Sequence, residues 1–176
     1  MLESEKLINV RDLWVAYEKS YFGGLRKSLS IVIKGISFSV GRGECYGIVG
    51  ASGSGKTTIL KTMIGLAKPL RGEIIVDNER LYINGKPNTA VIRKIGFVPQ
   101  DPSSAVDPRM RVRDIVGEPL RIRGLDRGSI EKTVENVIEM VGLDRGVLDK
   151  YPYQLSGGML QRVLIARALT VNPKIL

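Results

Sequence analysis

The sequence predicts an α/β fold with a mixed or parallel sheet, an antiparallel β layer at the N-terminal side and an inserted helical subdomain. Three observations carry this. Short, branched apolar runs alternate with helical patterns, as strands buried on both faces and their crossover helices do. Two segments near the start, 7–17 and 33–40, instead alternate apolar with polar, the mark of strands with one wet face. Between 101 and 153 the strand signals vanish and prolines punctuate a helical texture.

Composition sets the bounds. At 176 residues the chain fits one domain of about 100–200 residues, and 43% hydrophobic with 26% charged is ordinary for a folded protein. We therefore expect one domain over 1–176, with the helical subdomain at 101–155. The start MLESEKLINV places acids and one lysine before any apolar run, unlike a signal peptide. No stretch approaches the ~20 apolar residues that span a bilayer, so a cytoplasmic location is expected. A single cysteine, Cys45, excludes an internal disulfide, and the absence of histidine excludes Cys/His zinc sites and histidine triads. Cys45 is expected to be a small core residue. Lys plus Arg exceed Asp plus Glu by 27 to 18, giving +9, but basic residues scattered along a chain usually form a solvated surface.

Taken in order, "LINVRDLWVAY" and "IKGISFSV" predict the antiparallel layer, and "CYGIVG" (45–50) a buried strand. A helix follows, with Ile59, Leu60, Met63, Ile64 and Ala67 at helical spacing and Pro69 to close it. "EIIV" (73–76) and "IGFVP" (95–99) read as further strands. In the helical stretch, divided by Pro102, Pro108 and Pro119, one clean helix is capped by Ser129, has Glu131 in its first turn and carries the stripe Ile130, Val134, Val137, Ile138, Val141.

"GASGSGKT", Gly50 to Thr57, matches G-x-x-x-x-G-K-[ST] at each fixed position between a strand and a helix. Such a loop turns successive N–H groups around a phosphate, and the helix that follows adds positive potential. Lys56 is expected to act on the β and γ phosphates and Thr57 to ligate Mg²⁺. The nucleotide-binding set is Gly50, Ala51, Ser52, Gly53, Ser54, Gly55, Lys56, Thr57 and Thr58. A plain strand-to-helix turn needs neither the lysine nor the threonine. The core is thus a P-loop NTPase core, which by itself does not separate a kinase from a GTPase, a motor or a transport ATPase.

A second glycine turn, "LSGGMLQR" (155–162), opens another apolar helix; Ser156 can cap it or bind phosphate, and Gly157 and Gly158 allow close backbone approach. With this turn placed after the helical stretch, the sequence resembles the nucleotide-binding domain of ABC-type ATPases, whose signature reads LSGGQ. The resemblance covers nearly the whole chain. It implies a second ATPase subunit facing this one head to tail, with Leu155, Ser156, Gly157, Gly158 and Met159 meeting the ATP held by the partner's loop. It also implies that Gln100, in "VPQDP", is the glutamine that helps hold Mg²⁺ and signals to a transmembrane partner, and that Tyr17 stacks on adenine, with Tyr21 and Phe22 as alternatives. Met159 stands where the signature has Gln, and Tyr153 where related sequences often have His.

"VPQDPSSAVDPRMRVRDIVGEPLRIRG" and "KYPYQLSGGMLQRVLIARAL" look most like ATPase subunits of peptide and nickel importers. The resemblance then implies an ATP-binding subunit that works with permease subunits at the inner face of the cell membrane, driving uptake of peptides or a similar solute. A soluble ABC-type ATPase of DNA repair or chromosome maintenance is the alternative, but those interrupt the core with zinc modules or coiled coils, and here one cysteine, no histidine and no sustained heptads are present. No nucleic-acid partner is expected. A stand-alone P-loop kinase leaves 155–162 unexplained. Similar sequences continue past "VNPKIL" into a Walker B aspartate and a catalytic glutamate, so the chain reads as incomplete at its C-terminus and, as it stands, as a weak or inactive ATPase.

Overall fold

In the computed structural model, residues 6–21 and 26–176 are described, and the chain divides into two compact units, Met1–Ile92 and Arg93–Leu176. The first is built on the alternating segments. Strands β1 (Lys6–Tyr21) and β2 (Arg26–Gly41) pair antiparallel, Val10 opposite Phe38 and Tyr17 opposite Ser30. β3 (Arg71–Val76) pairs antiparallel with β1, and β4 (Glu79–Arg80) with β3, giving the order β2-β1-β3-β4. The expected antiparallel layer is thus present, and "EIIV" is a strand. Val10, Leu13, Val15, Ile74 and Val76 are buried, which removes the apolar face of the sheet from water.

Strands β5 (Tyr82–Ile83) and β6 (Lys86–Pro87) form a separate hairpin. Asp77-Asn78 joins β3 to β4 and Asn84-Gly85 joins β5 to β6, all four residues at positive φ, which is the type I′ geometry that matches strand twist. Helix α1 (Lys56–Met63) and the short α2 (Thr89–Ile92) complete the unit.

Three expectations need correction here. "CYGIVG" forms no strand: Cys45 and its neighbours are exposed, Val49 to 95%. A strand buried on both faces needs a ladder partner on each side, and no described strand pairs with 45–50. Tyr46 instead stacks on Phe38, ring centroids 5.2 Å apart. Helix α1 stops at Met63, well before Pro69. Gly65, at φ 81°, ends it, with Gly65 N–H donating to Thr62 O and Leu66 N–H to Lys61 O. A Cβ on Gly65 would lie 2.5 Å from Ile92 Cδ1, so only glycine fits this cap. Leu60, assigned to the apolar stripe, is half exposed.

The second unit is helical. α3 (Val112–Ile122), α4 (Arg127–Met140) and α5 (Gly157–Leu169) enclose one apolar cluster that includes Val112, Ile115, Val116, Val134, Val137, Ile138, Val163 and Ala166. Of the stripe read on α4, Val134, Val137 and Ile138 are buried, and Ile130 and the C-cap residue Val141 pack half-buried against the cluster. Its cap is not Ser129 but Asp126, whose carboxylate accepts from the Ser129 N–H at 3.0 Å. Pro119 lies inside α3 rather than between elements, so the stretch holds two helices, not one. "IGFVP" contributes a single parallel bridge, Ile95 to Ile175, in place of a strand.

Candidate functional site

The glycine loop is shaped by its own backbone. Gly55, the residue before α1, sits at φ 97° in the left-handed region, and a Cβ there would stand 2.5 Å from Ile33 Cδ1 on β2. Ser54 N–H donates to Ala51 O, closing a turn within the loop. The Lys56 ammonium folds back over it, donating to Gly50 O at 2.7 Å and Ala51 O at 2.8 Å. No side chain caps the N-terminus of α1 and no acidic residue occupies its first turn, where the helix end carries positive potential. Ala51, Ser52, Gly53, Ser54 and Thr57 are exposed, whereas Thr58 is buried and its carbonyl accepts from the Thr62 hydroxyl. Of the nine expected residues, Thr58 is buried, Gly55 and Lys56 are half-buried and the rest are exposed.

The second turn is placed by its N-cap. Ser156 is extended at φ −68°, ψ 158°, its hydroxyl accepting from Met159 N–H at 3.3 Å and its carbonyl from Leu160 N–H at 2.9 Å. Gly157 and Gly158 are exposed, have ordinary φ, and an added Cβ would find nothing within 4 Å at either. The side chains of Leu155 and Met159, by contrast, pack against the helical cluster, leaving Ser156 and the glycines as the outward part of the motif. Sequence reasoning passed over Gln154, whose side-chain oxygen accepts from Tyr151 N–H at 2.8 Å and fixes the short 3₁₀ turn Pro152–Gln154 just ahead.

Tyr17 stands on β1, 39% exposed. Of the alternatives, Tyr21 is the last residue of β1 and Phe22 lies outside the described residues. Gln100 is exposed at a bend in the second unit.

The family model for "ABC transporter" matches residues 33–176, from the middle of β2 through both glycine turns. The chain belongs to the ABC transporter family. Among curated ABC proteins, the nickel import ATP-binding protein NikE of Shigella dysenteriae is 41% identical over 172 residues, 97% of this chain and 64% of that protein. The oligopeptide transport ATP-binding protein OppF of Lactococcus lactis is 33% identical over 175 residues, covering 97% of this chain and 54% of its own length. The chain thus spans between about half and two thirds of the length of these relatives. Two solved ABC structures share the fold at TM-score 0.77 and 29% identity: the cassette MJ0796 in a dimeric post-hydrolysis state bound to ADP and Pi, and cbiO1 from Clostridium perfringens, part of a complex named cbiONQ. The first covers 94% of this chain and 70% of its own, the second 96% and 63%. The fold is therefore the α/β P-loop fold of ABC cassettes, and the importer branch read from the sequence is the branch of the curated relatives.

Proposed function

We propose that this chain is the ATP-binding part of an ABC importer subunit, and that two such subunits enclose ATP between the Lys56 loop of one and the Ser156 turn of the other. The supporting observation is the pair Gly157-Gly158. Glycine loses more conformational freedom on folding than any other residue. Within its own fold nothing crowds either position and neither φ is positive, so the chain itself gains nothing from glycine there. An outside group that must approach the backbone closely at a positive helix end accounts for both, and a phosphate fits that description.

In this reading Lys56 and the loop amides bind the phosphates, and Ser156 and the Gly157 and Gly158 backbone contact the partner's nucleotide. Thr57 is exposed and its hydroxyl is a hard oxygen donor of the kind Mg²⁺ prefers, so we assign the ion to it in the first unit; Gln100, the second ligand implied by the resemblance, is exposed in the second unit. The ion would neutralise phosphate charge. Tyr17 is assigned to the adenine. Permease subunits and a second ATPase subunit are the proposed partners, at the inner face of the cell membrane; no helix among the described residues is long and apolar enough to cross a membrane. The named relatives act in nickel and oligopeptide transport, and uptake of peptides or a similar solute is the proposed activity.

Lys56→Ala in the intact protein is expected to weaken ATP binding about 10- to 100-fold, the size of one or two lost charged hydrogen bonds. Equilibrium titration with a fluorescent ATP analogue measures it, and unchanged affinity sinks the assignment.

A further inference from the structure

Directly ahead of the Ser156 turn lies a stack that neither the motif nor the family match assigns. The guanidinium of Arg111 sits over the ring of Tyr151, 5.6 Å from its centroid. Tyr151 in turn stacks on Tyr153, centroids 5.6 Å apart and planes within 6°. Arg111 is also the residue from which α3 starts, and it reaches Asp149 at 3.1 Å, a carboxylate shared with Arg113. Backbone contacts follow the same line: Val112 N–H donates to Lys150 O, Gln154 N–H to Tyr151 O and Leu155 N–H to Pro152 O. The start of α3 is thereby tied, residue by residue, to the turn that presents Ser156.

Tyr153 is 74% exposed. A ring that wet contributes little to a core, yet it is held parallel to its neighbour. All of these residues belong to the second unit.

We propose that Arg111 is a positioning residue: through its stack on Tyr151 it holds the segment before Ser156 so that Gly157 and Gly158 face the partner's nucleotide. This rests on the reading of those glycines as a second ATP contact. Arg111→Ala and Tyr151→Leu remove the cation–π contact and the ring stack, whereas Tyr151→Phe keeps a ring in place.

Two measurements on the intact protein test it. Hydrogen exchange at the Met159 and Leu160 amides is expected to rise about tenfold in Arg111→Ala and Tyr151→Leu, the scale of losing an exposed cation–π contact with an aromatic stack, and to stay at the parent rate in Tyr151→Phe. ATP-driven pairing, followed by sedimentation with ATP and EDTA, is expected to weaken by a similar factor in the first two variants and not in the third, while ATP binding by the single subunit stays unchanged in all. Parent-like exchange and pairing in Arg111→Ala overturn the positioning role. An equal loss in Tyr151→Phe overturns the stacking account by assigning the hold to the tyrosine hydroxyl, and a loss of single-subunit ATP affinity overturns it by marking general unfolding. If the parent itself never pairs with ATP, the two-site reading fails, and altered exchange at Met159 still reports whether Arg111 positions the turn.

Discussion

Tyr82 shows how one side chain can close a helix end. Its hydroxyl lies 2.7 Å from Thr62 O and 2.8 Å from Ala67 O, carbonyls at and just beyond the end of α1. Partial burial pushes the phenol up from 10.0 to about 12. Because the folded value is the higher one, the neutral phenol's contribution is complete below pH 10 and is lost as pH rises toward 12. Tyr82→Phe should cost about 1 kcal/mol at neutral pH, seen as a lower denaturant midpoint, and should flatten the alkaline fall in stability. Nothing in the sequence marked this tyrosine, because its partners are main-chain atoms fifteen and twenty residues away. The residues of the two glycine turns were legible for the opposite reason: their chemistry is local, carried by spacing along a few positions. Cys45 was misjudged as core since a lone apolar residue in an apolar run says nothing about whether strands will flank it.

Among elements, the helices of the second unit follow their sequence period closely, and their boundaries less so. Two capping residues, Asp126 and Ser129, precede the stripe of α4, and the structure uses the earlier one, so that the helix gains a turn. Asp126→Ala is expected to destabilise this unit by about 1 kcal/mol, while Ser129→Ala should shift the thermal midpoint far less. The Asp126 carboxyl sits below its ordinary value of 3.8 because the Ser129 side chain and amide hydrogen-bond to its charged form. Strands were harder to read. Those of the antiparallel layer carry their own partners within reach, β1 with β2 and β3, and they form as expected. The runs at 45–50 and 95–99 carry the same apolar signature but find at most one bridge, between Ile95 and Ile175. A parallel strand depends on distant neighbours, and periodicity cannot reveal whether these are supplied.

At the scale of the molecule, family and fold were legible because two glycine turns, a hundred residues apart, appear in one α/β chain. The cargo was not, since no residue in either turn meets it in the proposed scheme. The pairing proposal makes an unusual demand on stability. Gly158→Ala should leave the single subunit as stable or more stable by about 0.5–1 kcal/mol, because alanine is the better helix former and finds open space there. The same change should weaken ATP-driven pairing by placing a methyl group against the incoming phosphate. Thermal melting and sedimentation on one variant read the two effects, and parallel gains or parallel losses contradict the scheme.

The hold of Gly50 and Ala51 on the Lys56 ammonium has its own consequence for selectivity. Any anion entering the loop competes against an internal rival for the lysine, so observed affinity is a difference between two attractions. A small monovalent visitor such as chloride gains less from that exchange than an anion with several charged oxygens. In the proposed scheme a polyphosphate chain, offering several oxygens at once, is the visitor best placed to displace that self-contact.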